Sequence, residues 1–228
     1  MTATPLGCSA TVRLTPTLPF HFDGTFCKPS NFPTPHRQHL RGKYWQSMLL
    51  DGIVYGLRAE SMGGEAPQEI SLTVFSEDPL DDTQVDRIAK EFSQRFDLSV
   101  NLNAFSALAE NDSILRPAEE RWRGMRIGSG YSLYEHLVVT CVLQNTTVRR
   151  STDMLQRLFD RYGERVRFDG TELAAFWRPE ALCYEGAELD LRGLKVGYRA
   201  KTLHRVATDF TSGNINPSED LLPAPLRL

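Results

Sequence analysis

The side chains best suited to chemistry in this sequence lie in two short segments, residues 144–151 and residues 197–199. The first segment reads QNTTVRRS, and it places the amide of Asn145 shortly before the adjacent guanidiniums of Arg149 and Arg150. A guanidinium donates hydrogen bonds to phosphate oxygens or base edges, and a short amide can replace the hydrogen bonds of a base. The pattern therefore indicates a site for an anion or for a hydrogen-bonding ring.

The two arginines stand where positive charge is unfavourable. Thr146 or Thr147 is predicted to cap a helix that ends near Gly163. Arg149 and Arg150 then fall in the first turn of this helix, where the helix dipole opposes a cation by about 0.3 to 1 kcal/mol. A bound phosphate or base edge would offset this cost. Solvent-facing arginines that tolerate the position are the alternative.

The second segment belongs to the stretch LRGLKVGYRAK at residues 191–201. Gly197 permits a sharp turn, and Tyr198 and Arg199 stand at the entrance of the last predicted helix, at about residues 200–210. Taken alone, this pair is more typical of a core tyrosine beside a surface arginine.

The elements that must position these residues differ between the two halves of the chain. The first half alternates apolar and polar residues, which predicts strands at residues 19–23, 44–50, 53–59 and 69–75. The Asp-Gly pair at residues 51–52 is a hairpin signal. Helical spacing then predicts a helix from about Asp82 and a second helix at residues 102–109.

From Arg116 onward the sequence predicts helices and no strand. Apolar residues at helical spacing flank the polar break at residues 144–147, which predicts two helices joined by a tight turn. The expected fold class is α+β: an antiparallel sheet domain with packed helices at residues 1–115, followed by an all-helical domain at residues 116–228.

Composition sets only broad limits on function. The 228 residues carry a net charge of −3, which by itself predicts neither a nucleic-acid binder nor a disordered chain. The charge is uneven, since residues 1–120 hold 10 basic against 16 acidic residues and residues 121–210 hold 15 against 11. The modest positive charge of the second half suits a phosphate-binding face, but ordinary solvated arginines fit it equally well.

Metal, membrane and export signals are missing from the sequence. The four cysteines form no CxxC pair and are interpreted as reduced thiols, and the five histidines have no ligand spacing. No apolar run reaches 18 residues, and the N-terminus lacks a signal-peptide pattern. We expect a cytoplasmic protein without a metal or other cofactor, acting as a monomer without membrane contact.

Taken together, residues 135–150 and residues 191–203 resemble the helix-hairpin-helix DNA glycosylases, in particular the 8-oxoguanine and 3-methyladenine branch. The resemblance covers residues 122–210 closely and most of the chain loosely. It implies an enzyme of base excision repair that expels a damaged base from double-stranded DNA.

The resemblance also implies roles for four residues. Asn145 would fill the space of the expelled nucleotide, and Tyr198 would wedge into the kinked stack. Arg150 and Arg199 would bond the orphan cytosine. We expect these four side chains to converge on one solvent-facing patch.

Three features of the family have no match in this sequence: the hairpin motif, the pair of catalytic residues and a pattern that shapes the lesion pocket. The hairpin motif should follow the last helix, but the chain reads EDLLPAPLRL and stops. No residue matches the catalytic lysine, which would form a Schiff base, or the aspartate that supports the transition state. No catalytic residue is therefore assigned, and the chain is expected to be the N-terminal portion of such an enzyme.

The third missing feature is a Gly-Gln-hydrophobic-Arg-Trp pattern that shapes the 8-oxoguanine pocket, in place of which the chain has KPSNFPTP and YWQSM. The lesion stays open between oxidised guanine and an alkylated purine. Three readings of function follow: an N-glycosylase with possible lyase activity on abasic sites, a non-catalytic DNA-binding remnant of one, or an unrelated α+β protein that shares the turn by chance.

Overall fold

The structure is a computed structural model that describes residues 2–28, 33–63 and 69–216. Within these residues the chain forms eight α-helices and two β-sheets, one of five strands and one of three. The predicted α+β fold class is confirmed. The segment KPSNFPTP, on which the lesion question partly rests, lies half outside the described residues.

The described residues form two compact units. Unit 1 comprises the residues up to Gly130 together with Glu164–Ala175, and unit 2 comprises Tyr131–Gly163 together with the residues from Phe176 onward. The predicted domain boundary between residues 115 and 116 falls inside unit 1. A division into independently folding domains at that position stays a prediction.

The larger sheet of unit 1 is antiparallel and has the strand order β2-β6-β5-β4-β3. Its strands are β2 (Cys8–Leu14), β3 (Arg37–Leu40), β4 (Lys43–Leu50), β5 (Ile53–Ser61) and β6 (Ile70–Ser76). Asp51 and Gly52 join β4 to β5 with φ angles of 52° and 77°. Two positive φ angles are what a two-residue type I′ turn requires. The hairpin predicted from the Asp-Gly pair is confirmed.

The strand predicted at residues 19–23 is wrong, because Phe22–Phe26 form a short helix, α1. His21 caps this helix by accepting the Gly24 amide at Nδ1, at 2.9 Å. Helical spacing brings the rings of Phe22 and Phe26 to 4.6 Å from one another, and both residues are buried. The aromatic residues of this segment therefore pack into the core from one side of a helix. They do not alternate between the two faces of a strand.

Helix α2 (Asp82–Arg95) packs against the five-stranded sheet and completes the core of unit 1. Its first turn is fixed by a capping box, in which Asp81 accepts the Gln84 amide and Gln84 accepts the Asp81 amide. Ile88 and Phe92 of this helix are buried in one cluster with residues of the five-stranded sheet. Two further helices of unit 1 follow, α3 (Asn103–Glu110) and α4 (Arg116–Trp122).

The expectation of helices alone after Arg116 is wrong for residues 164–175. Strands β7 (Glu164–Phe168) and β8 (Thr171–Ala175) form an antiparallel hairpin, and β1 (Thr4–Pro5) pairs with β7 in parallel. Asp169 and Gly170 form the turn between β7 and β8, with φ angles of 49° and 70°. The turn at Asp51 and Gly52 has similar φ angles.

Long-range contacts hold this hairpin in unit 1. Its buried residues Val166, Phe168 and Leu173 pack in one cluster with Trp45. The Trp45 indole donates to a carboxylate oxygen of Asp169 at 2.7 Å, across 124 positions of sequence. Sequence periodicity reports local structure and does not detect partners at that separation.

Unit 2 is helical. Its elements are α5 (Leu133–Leu143), α6 (Val148–Tyr162), a 3-10 turn (Pro179–Leu182), α7 (Ala187–Gly193) and α8 (Arg199–Thr211). Leu155 and Leu158 of α6 and Leu203 of α8 are buried, as the helical spacing predicts. The two helices beside the polar break and the last helix are confirmed.

Gly124 tests the packing of unit 1. Its φ is +85°, and a Cβ added there would lie 2.5 Å from the backbone nitrogen of Phe20. Gly170 has a similar φ of +70°, but a Cβ there would meet no atom within 4 Å. We expect Gly124→Ala to lower the free energy of unfolding by about 1 to 3 kcal/mol more than Gly170→Ala, because both carry the backbone strain but only Gly124→Ala adds the overlap. Urea unfolding of the two variants measures this difference. Equal losses of unfolding free energy would mean that the backbone near Phe20 shifts to accommodate the added methyl group.

Candidate nucleic-acid interface

The candidate site is built on the turn between α5 and α6, which lies in unit 2. Helix α5 ends at Leu143, Gln144 is extended, and Asn145 adopts the left-handed conformation with a φ of 45°. Asn is one of the few non-glycine residues that accept this conformation at low cost. The turn leaves Asn145 exposed.

The start of α6 is fixed by two hydroxyl groups. The Thr147 side chain caps the helix by accepting the Arg150 amide at 3.4 Å, so the cap predicted at Thr146 or Thr147 is Thr147. The fully buried Ser151 hydroxyl lies 3.2 Å from the Thr147 carbonyl oxygen and 3.4 Å from that of Val142. Its single proton donates to one of the two carbonyls at a time, and donation to Val142 ties the turn to the end of α5.

The entrance of α8 supplies the second part of the site. Gly197 has a φ of 67° and open space around its Cα, so backbone conformation alone explains the glycine. Tyr198 precedes the helix and is 56% exposed, while Arg199 is its first residue and is only 6% exposed. The expectation that Arg199 faces solvent is wrong.

Arg199 is buried because its guanidinium binds backbone carbonyls. One terminal nitrogen donates to the carbonyl oxygen of Gln144, and the other donates to that of Val196 at 3.5 Å. The Nε group is buried and has no hydrogen-bond partner among the residues that the structure describes. The guanidinium carbon also lies 4.7 Å from the centre of the Tyr198 ring. A buried guanidinium requires such partners, since burial without them costs several kcal/mol.

These contacts bring three of the four predicted residues together. The bond from Arg199 to Gln144 joins the Asn145 turn to the start of α8, where the guanidinium stacks on Tyr198. Asn145 and Tyr198 are both exposed at this junction. We call Gln144, Asn145, Tyr198 and Arg199 the junction.

Arg150 is not tied to the junction. Its side chain is exposed on the first turn of α6 and makes no hydrogen bond or ion pair with a described residue. The same holds for Arg149, whereas Arg157 and Arg192 of this unit are engaged with the Leu194 carbonyl and with Glu188. The beginning of α6 therefore presents two uncommitted guanidiniums beside the positive end of a helix, an arrangement that suits an anion. The convergence of Arg150 with the other three residues stays a prediction.

The thiol of Cys141, which interacts electrostatically with Arg199, is an unsuitable nucleophile. Burial raises the pKa of Cys141 above its ordinary value, although the positive charge of Arg199 acts in the opposite direction. A raised pKa keeps the thiol protonated at neutral pH, and the protonated form is a poor nucleophile.

The sequence pattern missed two residues of the site. Gln144 takes part through its backbone carbonyl, which carries no residue-specific signal. Ser151 carries a weak signal, since a hydroxyl one turn after the cap, on the buried face of an amphipathic helix, needs a nearby carbonyl.

Two negative findings concern the part of the chain that the structure describes. No group of three or more His, Cys, Asp or Glu side chains in it could hold a metal ion. None of its helices combines the length and the apolar character needed to cross a membrane.

Comparison with known proteins shows the fold. No protein-family model matches the chain, and no curated protein matches it in sequence. Among solved structures, the 3-methyladenine DNA-glycosylase from Archaeoglobus fulgidus superimposes with a TM-score of 0.69 at 17% identity, over 86% of this chain and 66% of that one.

A second similar protein is the 8-oxoguanine glycosylase/lyase of Clostridium acetobutylicum. Its apo-form matches with a TM-score of 0.63 at 16% identity, over 91% of this chain and 66% of that one. Its complex with dsDNA containing cytosine opposite 8-oxoG matches with a TM-score of 0.59 at 16% identity, over 87% and 62%. The chain thus shares the fold of these DNA glycosylases and spans slightly less than two thirds of their length.

Replacing Arg199 tests whether it holds the junction together. We expect Arg199→Leu to lower the free energy of unfolding by about 1 to 3 kcal/mol, because the Gln144 carbonyl loses its donor. Hydrogen exchange of the amides at residues 144–146 should accelerate in the same variant. Arg150→Leu is the matched control, and its stability should stay within about 0.5 kcal/mol of the parent, since that side chain is exposed. Unchanged exchange at the turn in Arg199→Leu would show that the turn holds without this arginine.

Proposed function

We propose that this chain binds double-stranded DNA at a damaged base and belongs to the machinery of base excision repair, as an N-glycosylase for a damaged purine or as the DNA-recognising part of one. The observation that carries the proposal is the junction, in which Arg199 bonds the carbonyl of Gln144, 55 positions away and next to the exposed Asn145, and lies over the ring of the exposed Tyr198. The same fold in two DNA glycosylases supports it.

The junction offers the groups that a disrupted duplex needs. Expelling a nucleotide costs a few kcal/mol of stacking and pairing and leaves a gap. The exposed Asn145 amide can donate and accept hydrogen bonds in that gap. The Tyr198 ring, supported by the guanidinium of Arg199, can insert between base steps and stabilise the kink.

The arginines would contact the orphan base and the DNA backbone. Guanidinium donors match the acceptors of cytosine, and Arg150 is free to reach them because no described residue engages it. Arg199 would have to exchange a carbonyl for a base, or use its unpaired Nε group. Arg149 and the beginning of α6 suit a phosphate of the same strand.

The lesion is proposed at the level of a damaged purine. The names of the similar structures point to 3-methyladenine and to 8-oxoguanine, and neither is preferred. If the lesion is 8-oxoguanine, we propose that the enzyme also has lyase activity on abasic sites. The protein would act as a monomer in the cytoplasm, on duplex DNA, without a cofactor.

A second candidate is a DNA-binding protein without catalysis. One sequence observation favours it: no residue of the chain matches the catalytic lysine or aspartate of the family that the chain resembles. In that case the junction would recognise a disrupted base pair and excise nothing.

Selective binding tests the proposed contact of Arg150 with the orphan base. We expect Arg150→Ala to weaken binding to a duplex with an abasic site by about 1 to 3 kcal/mol more than binding to an intact duplex, the scale of one lost base contact. Its salt dependence should change little, because no phosphate contact is removed. Fluorescence anisotropy with the two duplexes at several salt concentrations measures both quantities.

Two matched variants make this test decisive. Arg149→Ala should weaken binding to both duplexes alike and lower the salt slope, as loss of a phosphate contact does. Asn145→Ala should resemble Arg150→Ala, since its side chain is also proposed to face the gap. Equal losses on both duplexes in every variant would mean that these residues contact only the backbone, and a parent protein that does not bind DNA would refute the proposal.

Excision assays test whether this chain itself catalyses base release. We expect the 228-residue chain to release 8-oxoguanine or 3-methyladenine from duplex DNA only at the background rate, because it lacks the groups that would form the covalent intermediate or stabilise the developing charge. Turnover that a single Lys or Asp substitution abolishes would contradict this expectation and establish the enzyme.

A further inference from the structure

Unit 1 contains a cavity that the proposed DNA contacts do not use. It has a volume of about 580 Å³, in the range of cavities that hold small molecules. Its walls come from the segment between α2 and α3, from α3 and α4, and from the segment after α4. Most of the lining side chains are apolar: Val100, Leu102, Phe105, Leu115, Trp122 and Ile127.

Several of these apolar walls face water. Phe105 is 50% exposed, Leu115 is 40% exposed and Ile127 is 86% exposed. Large apolar side chains gathered around one opening commonly mark a binding site, because a ligand that covers them removes their surface from water.

The cavity also contains an acidic side chain without a hydrogen-bonding partner. Glu119 of α4 is only 8% exposed, and its buried Oε1 atom has no hydrogen bond among the described residues. The nearest cation is the Nε group of the half-exposed Arg123 at 3.9 Å, which is too long for a hydrogen bond. A buried carboxylate in an apolar wall needs a donor, and the distance to Arg123 leaves that need unmet.

The other charged residues of the lining are Arg126 and Asp97. Arg126 is almost fully buried, but its terminal nitrogens donate to the carbonyl oxygens of Gly124, at 3.2 Å, and Thr17. Its Nε group alone is left without a partner. Asp97 adds a second carboxylate to the lining. Because the terminal nitrogens of Arg126 already donate to carbonyl oxygens, the buried Oε1 atom of Glu119 stays the acceptor in this lining that a ligand's ammonium group could satisfy.

We propose that this cavity binds an apolar amine, with the ammonium group paired with Glu119 and the aromatic or branched body against Phe105, Leu115 and Trp122. This site is separate in sequence from the junction and independent of whether the chain acts on DNA. A small molecule with one ammonium group satisfies the carboxylate and covers the apolar walls at the same time, which neither a neutral hydrocarbon nor an organic acid does.

Three probes of similar size test the proposal on the full chain by calorimetric titration at neutral pH: tryptamine, 3-methylindole and indole-3-propionate. We expect tryptamine to bind at least about tenfold more tightly than the other two, because only its ammonium group forms a charge-assisted hydrogen bond with Glu119. Equal affinities, or no binding of tryptamine, would overturn the proposal. An apolar groove that accepts a protein side chain would bind 3-methylindole as well as tryptamine, so that result also counts against it.

Matched variants locate the site. Glu119→Gln should reduce tryptamine affinity about tenfold and leave 3-methylindole unchanged. Glu120→Gln, the exposed neighbour on the same helix that does not line the cavity, should bind as the parent does. Ala118→Phe fills the lining from an exposed position and should abolish tryptamine binding. Circular dichroism verifies that each variant is folded, and tryptamine binding that survives Ala118→Phe would place the site elsewhere.

Discussion

The donation from the Arg199 guanidinium to the Gln144 carbonyl is the contact on which the geometry of the helical unit's candidate site depends. The last carbonyls of a helix have no partner within it, and α5 ends one residue before Gln144. A guanidinium from the start of another helix supplies the missing donor. Because that guanidinium is fixed, the adjacent Tyr198 ring has a surface to stack on and the Asn145 backbone can stay in its left-handed conformation.

This arrangement separates two tasks between arginines that look equivalent in the sequence. Arg199 is buried and orders the site, whereas Arg149 and Arg150 are exposed and stay available for a ligand. A ligand that met a disordered turn would have to order it on binding, which costs about 1 to 2 kcal/mol per residue. Because the buried Arg199 already orders the turn, much of this entropic cost is absent when a ligand binds. The contacts of the exposed groups then contribute more fully to the affinity.

Much of the architecture could be predicted from local patterns. Local sequence determines the Asp-Gly turn at residues 51–52. It also determines helices α2, α5 and α6, in which apolar residues recur at regular spacing. The errors lie where distant partners decide. Strands β7 and β8 depend on contacts such as that from Trp45 to Asp169, and helix α1 depends on a histidine cap that is uncommon at helix starts. At the candidate site the turn and its cap were predictable, but the burial of Arg199 was not, because its partner is a backbone carbonyl 55 residues away.

The assignment of residues 164–175 to the sheet unit has a consequence for the chain as a whole. The backbone leaves unit 1 after Gly130, returns to it at Glu164 and leaves again after Ala175. Neither unit is a continuous stretch, so no single cut yields two intact halves. Removing everything after Gly130 would strip the sheet unit of the hairpin that covers Trp45, and expressing the helical unit alone would require splicing out twelve residues between α6 and the 3-10 turn. Exchange of either unit with another protein would therefore have to preserve three crossing points.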